Sequence, residues 1–318
     1  PDKTVLDIVG PSQPKMNPQR PRAPAVQVDL ADVQANVLRG FRPSKAYHYL
    51  LRFSNAEAGR KFVRNFPVTS AGDKAQHDSI CLNIGLTFAG LAALGVPPYL
   101  LQSFPAAFQQ GPAARANLTG DLPHNDPKDW QVGADPNAVH AVVSVLCRPG
   151  ADDAYALGTV EDLVTSHDME PLLHQNGDFR YAWLAEAFKD APNEIHFGYQ
   201  DGISQPLIEG IHDLAEGERK PNAVPGDFLL GHHYVNSRGG RYIGRLHEPM
   251  VRNGTYASFR IIEQKVVEFD KWLADKHPVP ADELAAKVMG RWKDGTPVTQ
   301  FDKPVGGRPS DDFDYVGP

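Results

Sequence analysis

The stretch AVHAVVSVLC (138–147) constrains this chain more than any other, because β-branched residues crowd it and no charge interrupts it. It reads as a buried strand, so the fold needs a sheet. Candidate partners lie on either side. AYHYLLRF (46–53) has strand character, and AEAGRKFVRNF (56–66) follows it with Phe62 and Phe66 four apart, on one helical face. SICLNIGLTF (79–88) is apolar and β-capable, and leads into GLAALG (90–95), a short helix stopped by Gly95 and Pro97. A helix and then EIHFGY (194–199), read as a strand, close the first half. Strand–helix–strand twice over predicts an α+β fold of the ferredoxin-like type, an antiparallel sheet with helices over one face.

The flanks differ in character. Residues 1–26 are proline-rich and aperiodic, and read as an extended N-terminal arm. LADVQANVLRG (30–40) has helical spacing through Val33, Val37 and Leu38, so the first half spans 27–205. A Gly/Pro-rich crossing (206–226) opens a second half, 206–318. There GDFLLGH (226–232) and TYASFRIIEQ (255–264) are strand candidates, and VVEFDKWL (266–273) is a helix. ADELAAKVMGRW (281–292), with its acidic first turn and Gly290, is a second helix. This half has its opening elements but not the strands that would complete a sheet like the first.

Acidic and basic residues are interspersed at a formal net charge of -7, which argues against a nucleic-acid binder. No apolar run approaches the roughly 20 residues that span a bilayer. The two cysteines, Cys81 and Cys147, form no CxxC or CxxCH, which excludes a four-cysteine zinc site and covalent haem attachment within this chain; two buried thiols are expected. The compartment stays open, with a soluble cytoplasmic protein favoured over a secreted one.

The segment with most chemical content is FGYQDGISQP (197–206). It places Asp201 just after a strand candidate, between Gly198 and Gly202, on a loop able to approach a flat ligand closely. Alone, Asp-Gly after a strand is most often an ordinary turn.

The run Gly198, Asp201, Gly202, Ile203, Ser204, Gln205 and Pro206 resembles the signature of dye-decolorizing peroxidases, above all their longer, fungal-like branch. DVQANVLRGF (32–41), NIGLTFAGLAALGV (83–96), GDFLLGH (226–232), NGTYASFRIIEQ (253–264), VMGRWKDGTPV (288–298) and DDFDY (311–315) are similar to further blocks of that family, in the same order. The resemblance implies a haem b peroxidase of two ferredoxin-like halves, the second holding the haem. It would oxidise dyes, phenolic or other bulky compounds with hydrogen peroxide. Asp201 would be its distal acid/base. Heterolysis of the O–O bond needs a proton carried from one peroxide oxygen to the other, within reach of a single group. A carboxylate, with an ordinary pKa of about 3.9, suits such work in acid. Gly202, Ile203, Ser204, Gln205, Phe259 and Arg260 are expected along the cofactor. Ile203 and Phe259 also suit plain core packing, and Arg260 an inter-element ion pair.

The family's axial histidine and distal arginine lie in blocks downstream of DDFDY, so the resemblance assigns neither to this chain. They are expected from a C-terminal segment, either on a second polypeptide or lost from this one. His196 is too close to Asp201 to serve opposite it. His232 and His233 read as an exposed or hydrogen-bonded pair, and His174, His212 and His247 as loop histidines. Trp130, Trp183, Trp272 and Trp292 read as core or amphipathic residues rather than electron relays. NLT (117–119) and NGT (253–255) match the N-glycosylation sequon. Two other readings stand beside the enzyme: a haem or porphyrin carrier with little turnover, and a fragment inactive without its C-terminal partner. Homo-oligomerisation stays open.

Overall fold

A computed structural model of the chain describes residues 28–38, 41, 45–73, 79–172, 181–184, 194, 197–203, 205–211, 223–235, 241–243, 248–275 and 279–306. The proposed N-terminal arm lies outside these residues, as do Ser204, His174, His196, His212 and His247.

The first half is built on strands β1 (Lys45–Phe53), β2 (Ile80–Leu86), β3 (Ala141–Cys147), β4 (Met169–Pro171) and β5 (Tyr181–Leu184). Their order is β2-β3-β1-β4, all antiparallel, with β5 also on β1. Helices α2 (Ala56–Asn65) and α6 (Asp153–Ser166) connect them. With β4 and β5 together as its fourth strand, this is the ferredoxin-like order. Alternation in β1 sends Tyr47, Tyr49, Leu51 and Phe53 to one face, where Phe62 of α2, Phe66 just after it, and Val160 and Val164 of α6 pack on them. Each helix starts on a side-chain cap: Asn55 accepts from the amides of Glu57 and Ala58, and Asp152 from that of Tyr155. Cys81 and Cys147 are both free and buried, and burial pushes their thiols up to about 12 and about 11.

The closing strand is not where periodicity placed it. β4 and β5 share the β1 edge, and the described part of 194–199 makes one bridge, Glu194 with Gln200. Phe197 and Tyr199 instead pack on later helices. The described part of LADVQANVLRG is a 3-10 turn (Leu30–Asp32) and one helical turn, α1 (Ala35–Leu38), with Gln34 between them serving the sheet. Gln34 Nε2 donates to the Ile84 carbonyl (2.8 Å) and Oε1 accepts from the Ile84 amide (3.0 Å). Thr69 does the same for Leu82, so the outer edge of β2 is closed without a strand.

Between β2 and β3 lie α3 (Phe88–Ala93), α4 (Pro98–Leu101) and α5 (Ala106–Ala114), the last kinked at Gly111 and Pro112. A β-carbon at Gly90 would sit 2.0 Å from the His140 carbonyl oxygen, so α3 lies directly on the backbone leading into β3.

The second half begins differently from expectation. GDFLLGH is no strand: Pro225–Asp227 form a 3-10 turn, Leu229 is buried, and Gly226 meets the His233 carbonyl too closely for any side chain. A short hairpin follows, β6 (His233–Val235) and β7 (Arg241–Ile243), then helix α7 (Glu248–Val251). TYASFRIIEQ runs without helix, turn, bend or ladder, because no described strand lies beside it. The last two helices are as the sequence predicts: α8 (Val266–Asp275), and α9 (Ala281–Met289) ended by left-handed Gly290. Among the described residues the second half has no sheet beyond the β6–β7 pair. No helix among them is long and apolar enough to cross a membrane.

Candidate functional site

Two buried anchors hold the Asp201 loop. Upstream, Phe197 and Tyr199 pack with Phe269 and Leu273 of α8 and Leu284 and Ala285 of α9, the Phe197 and Phe269 rings 5.0 Å apart. The Gln200 amide donates to the Lys293 carbonyl (3.1 Å). Downstream, Ile208 and Ile211 join Val28, Val33, Leu38 and Leu229 in a second cluster. Both clusters unite residues from the two sides of position 205. Between them Asp201 is exposed, flanked by Gly198 and Gly202 at φ 78° and 68°, backbone that glycine adopts without strain. Ile203 is half-buried and Gln205 exposed. Burial, with Asp282 and Asp270 nearby, raises the Tyr199 phenol.

Phe259 and Arg260 belong to a different neighbourhood. The Phe259 ring meets His48 of β1 edge-on at 5.1 Å, and His48 Nδ1 hydrogen-bonds to the Ser144 hydroxyl (2.9 Å). Burial lowers the His48 imidazole. Arg260 pairs with the carboxylate of Asp121, which is 6% exposed, and its guanidinium lies 5.8 Å from the Trp130 ring. Asp121 also accepts from the Thr119 hydroxyl and the Asn125 amide, and Trp130 donates to Asn125. The Thr119 bond, with Arg260 and Asn125, outweighs desolvation and lowers the Asp121 carboxyl. Arg260 is thus clamped to a loop of the first half. Among the described residues, no hydrogen bond or ring contact joins this group to the Asp201 loop.

A third set was not legible. His232, 4% exposed, holds Asn253 Oδ1 through Nε2 (2.6 Å), and Asn253 Nδ2 donates to Asp32 (2.7 Å). Among the described residues, His232 Nδ1 has no hydrogen-bond partner. Asn253 sits at φ 63°, which asparagine tolerates better than most side chains. Positions 32, 232 and 253 share no local pattern that could reveal the set. The NGT sequon thus begins on a buried, doubly bonded asparagine, whereas Asn117 is exposed.

The group implied by the resemblance is haem. A β-carbon at Gly198 would meet nothing within 4 Å, so no described residue closes over the Asp201 loop there. No group of three or more His, Cys, Asp or Glu able to hold a metal ion occurs among the described residues.

No family model matches the chain. It is 26% identical over 299 residues to peroxidase 2 of Mycetinis scorodonius, covering 91% of this chain and 54% of that protein. It is 27% identical over 328 residues to a dye-decolorizing peroxidase of Mycena epipterygia, covering 94% and 58%. Among solved structures, a dye-decolorizing peroxidase in complex with 2,6-dimethoxyphenol matches with a TM-score of 0.64 at 24% identity, covering 86% of this chain and 61% of that one. The decolorizing peroxidase of Auricularia auricula-judae matches with a TM-score of 0.61 at 24% identity, over 86% and 59%. The chain therefore resembles the fungal dye-decolorizing peroxidases and shares their fold, and it spans about half the length of the curated relatives it matches.

Proposed function

We propose that this chain is the N-terminal part of a dye-decolorizing peroxidase, a haem enzyme that oxidises dyes and phenolic or other bulky compounds with hydrogen peroxide. The observation that carries the proposal is Asp201, exposed between two left-handed glycines and held from both sides by buried anchors, within a chain similar to such enzymes along most of its length. Bound haem would supply the redox centre at which peroxide is reduced and the reductant oxidised.

The chain's own part is proton transfer and positioning. The Asp201 carboxylate takes the proton from one peroxide oxygen and returns it to the departing one, within hydrogen-bond reach of both. Gly202 keeps that loop clear of side-chain bulk, and Ile203, Ser204 and Gln205 continue it along the cofactor. Phe259 would lie against the cofactor from the β1 side. Arg260 is held by Asp121 and Trp130, and any contact with a haem propionate would require exchange of the Asp121 carboxylate for it. The histidine that would hold haem b would come from a segment outside residues 1–318, in the same polypeptide or a second one.

The test compares the chain alone with the polypeptide extended to its relatives' length. The extended protein should show a Soret band and peroxide-dependent oxidation of 2,6-dimethoxyphenol in acid, and the chain alone neither. A Soret band without turnover in the extended protein would turn the reading to a haem carrier. Absence of haem uptake in both would overturn it.

A further inference from the structure

The two N-glycosylation sequons, NLT (117–119) and NGT (253–255), are treated oppositely by the fold. Asn117 is exposed beside Leu118, itself 73% exposed, so a glycan there would extend into solvent. Asn253 is 8% exposed. Its Nδ2 donates to Asp32 and its Oδ1 accepts from His232 Nε2, which joins the N-terminal segment to the second half. Its backbone is held on both sides. The Asn253 amide donates to the Leu230 carbonyl (3.1 Å), and the Leu230 amide to the Gly254 carbonyl (2.8 Å).

N-glycosylation transfers an oligosaccharide from a lipid-linked pyrophosphate to the asparagine Nδ2. A bond forms between Nδ2 and the sugar C1, the C1–O bond to pyrophosphate breaks, and one amide proton is lost. A group of that bulk belongs on a surface, and on Asn253 it would displace Asp32. Turning the side chain outward is no remedy. It would leave His232, 4% exposed, with neither ring nitrogen paired among the described residues. Such a buried polar group is expensive to leave unsatisfied. Burial does not guard Asn253 either, because the sugar is transferred to the nascent chain before the fold encloses it.

We propose that the native fold requires an unmodified Asn253, so that this chain folds where N-glycosyl transfer does not reach it. In an N-glycosylating secretory route the sequon at 253 blocks folding, whereas the one at 117 accepts a glycan without harm. The inference stands on the Asp32–Asn253–His232 contacts and is independent of the peroxidase reading.

The polypeptide extended to its relatives' length tests it, made in a bacterial cytoplasm and, behind a cleaved leader, in a eukaryotic secreting host. The comparison is with Thr255→Ala, which keeps Asn253 and removes the exposed hydroxyl that the transferase needs. Made in bacteria, the two proteins should fold alike and share a urea midpoint. In the secreting host the wild type should be retained with sugar on Asn253, located by peptide mass mapping. Thr255→Ala should be secreted at least several-fold better, with its glycan on Asn117. Secreted, protease-resistant wild type carrying a glycan on Asn253 would overturn the proposal. Equal secretion of the two proteins would do the same, whether position 253 is occupied or skipped, because the sequon would then set no limit on folding. No readout needs haem, so failure of the peroxidase reading would show in the Soret band and leave these results unchanged.

Discussion

At the scale of single residues, chemistry and stability separate cleanly. Asp201 is exposed and lies in neither core, so Asp201→Asn should leave folding and haem uptake intact. It should slow the extended protein's reaction with peroxide by about 10²–10⁴-fold, and stopped-flow mixing that shows an unchanged rate would remove Asp201 from its role. Other titrating groups act on the fold. Burial lowers the imidazoles of His48 and His140, and the His140 Nδ1 accepts the Phe53 amide, a bond that protonation would break. Below their ordinary value of 6.5 the unfolded chain therefore binds more protons, and stability falls as pH falls. Lys45 first, then Tyr47, lowers the Asp153 carboxyl, and that contribution is present above pH 3.8 and lost as pH drops through the folded-state value. Urea midpoints measured against pH should decline in these two windows. Asp153→Asn should flatten only the lower one, and an unchanged acid slope would show that the Lys45–Asp153–Tyr47 contact contributes nothing. Asp201 was legible because its neighbours in sequence are its context. The inter-element ion pair offered for Arg260 is present, but its partner Asp121 and the His232–Asn253–Asp32 contacts were not legible, because the partners are separated by 139 and by up to 221 positions.

At the scale of elements, periodicity was informative wherever a segment's apolar pattern matches the face it buries. β1, β2, β3, α2, α8 and α9 lie where alternation and helical spacing predict them. It failed where a segment's state depends on what lies beside it. EIHFGY and TYASFRIIEQ have strand composition, but the first spends Phe197 and Tyr199 on α8 and α9, and the second has no described neighbour to pair with. GDFLLGH failed for another reason: Gly226 sits against the His233 backbone, and a turn rather than a strand permits that approach. The same logic makes Gly90 an element-level test. Gly90→Ala should push α3 off the His140 carbonyl and destabilise by about 1–3 kcal/mol, read as a lower urea midpoint. Leu51→Ala, at a fully buried position in the helix-covered core, should cost about 2–5 kcal/mol. If both variants melt like the wild type, the packing of the first half is not as described.

At the scale of the molecule, the two halves are tied together rather than strung in sequence. The clusters around Tyr199 and Ile208, the Arg260 clamp and the Asp32–Asn253 bond all join segments from either side of position 205. The first half should therefore not survive alone with native stability, and truncation at residue 205 should lower its urea midpoint relative to 1–318. A larger consequence follows from Gln34. By closing the outer edge of β2 with the Gln34 side chain and Thr69, the fold removes that edge from strand addition. Gln34→Ala would open the β2 edge at Ile84 while Thr69 still holds it at Leu82. Light scattering should then show association that rises with concentration more steeply than in the wild-type chain, so a side-chain amide well outside the core governs how readily one molecule meets another.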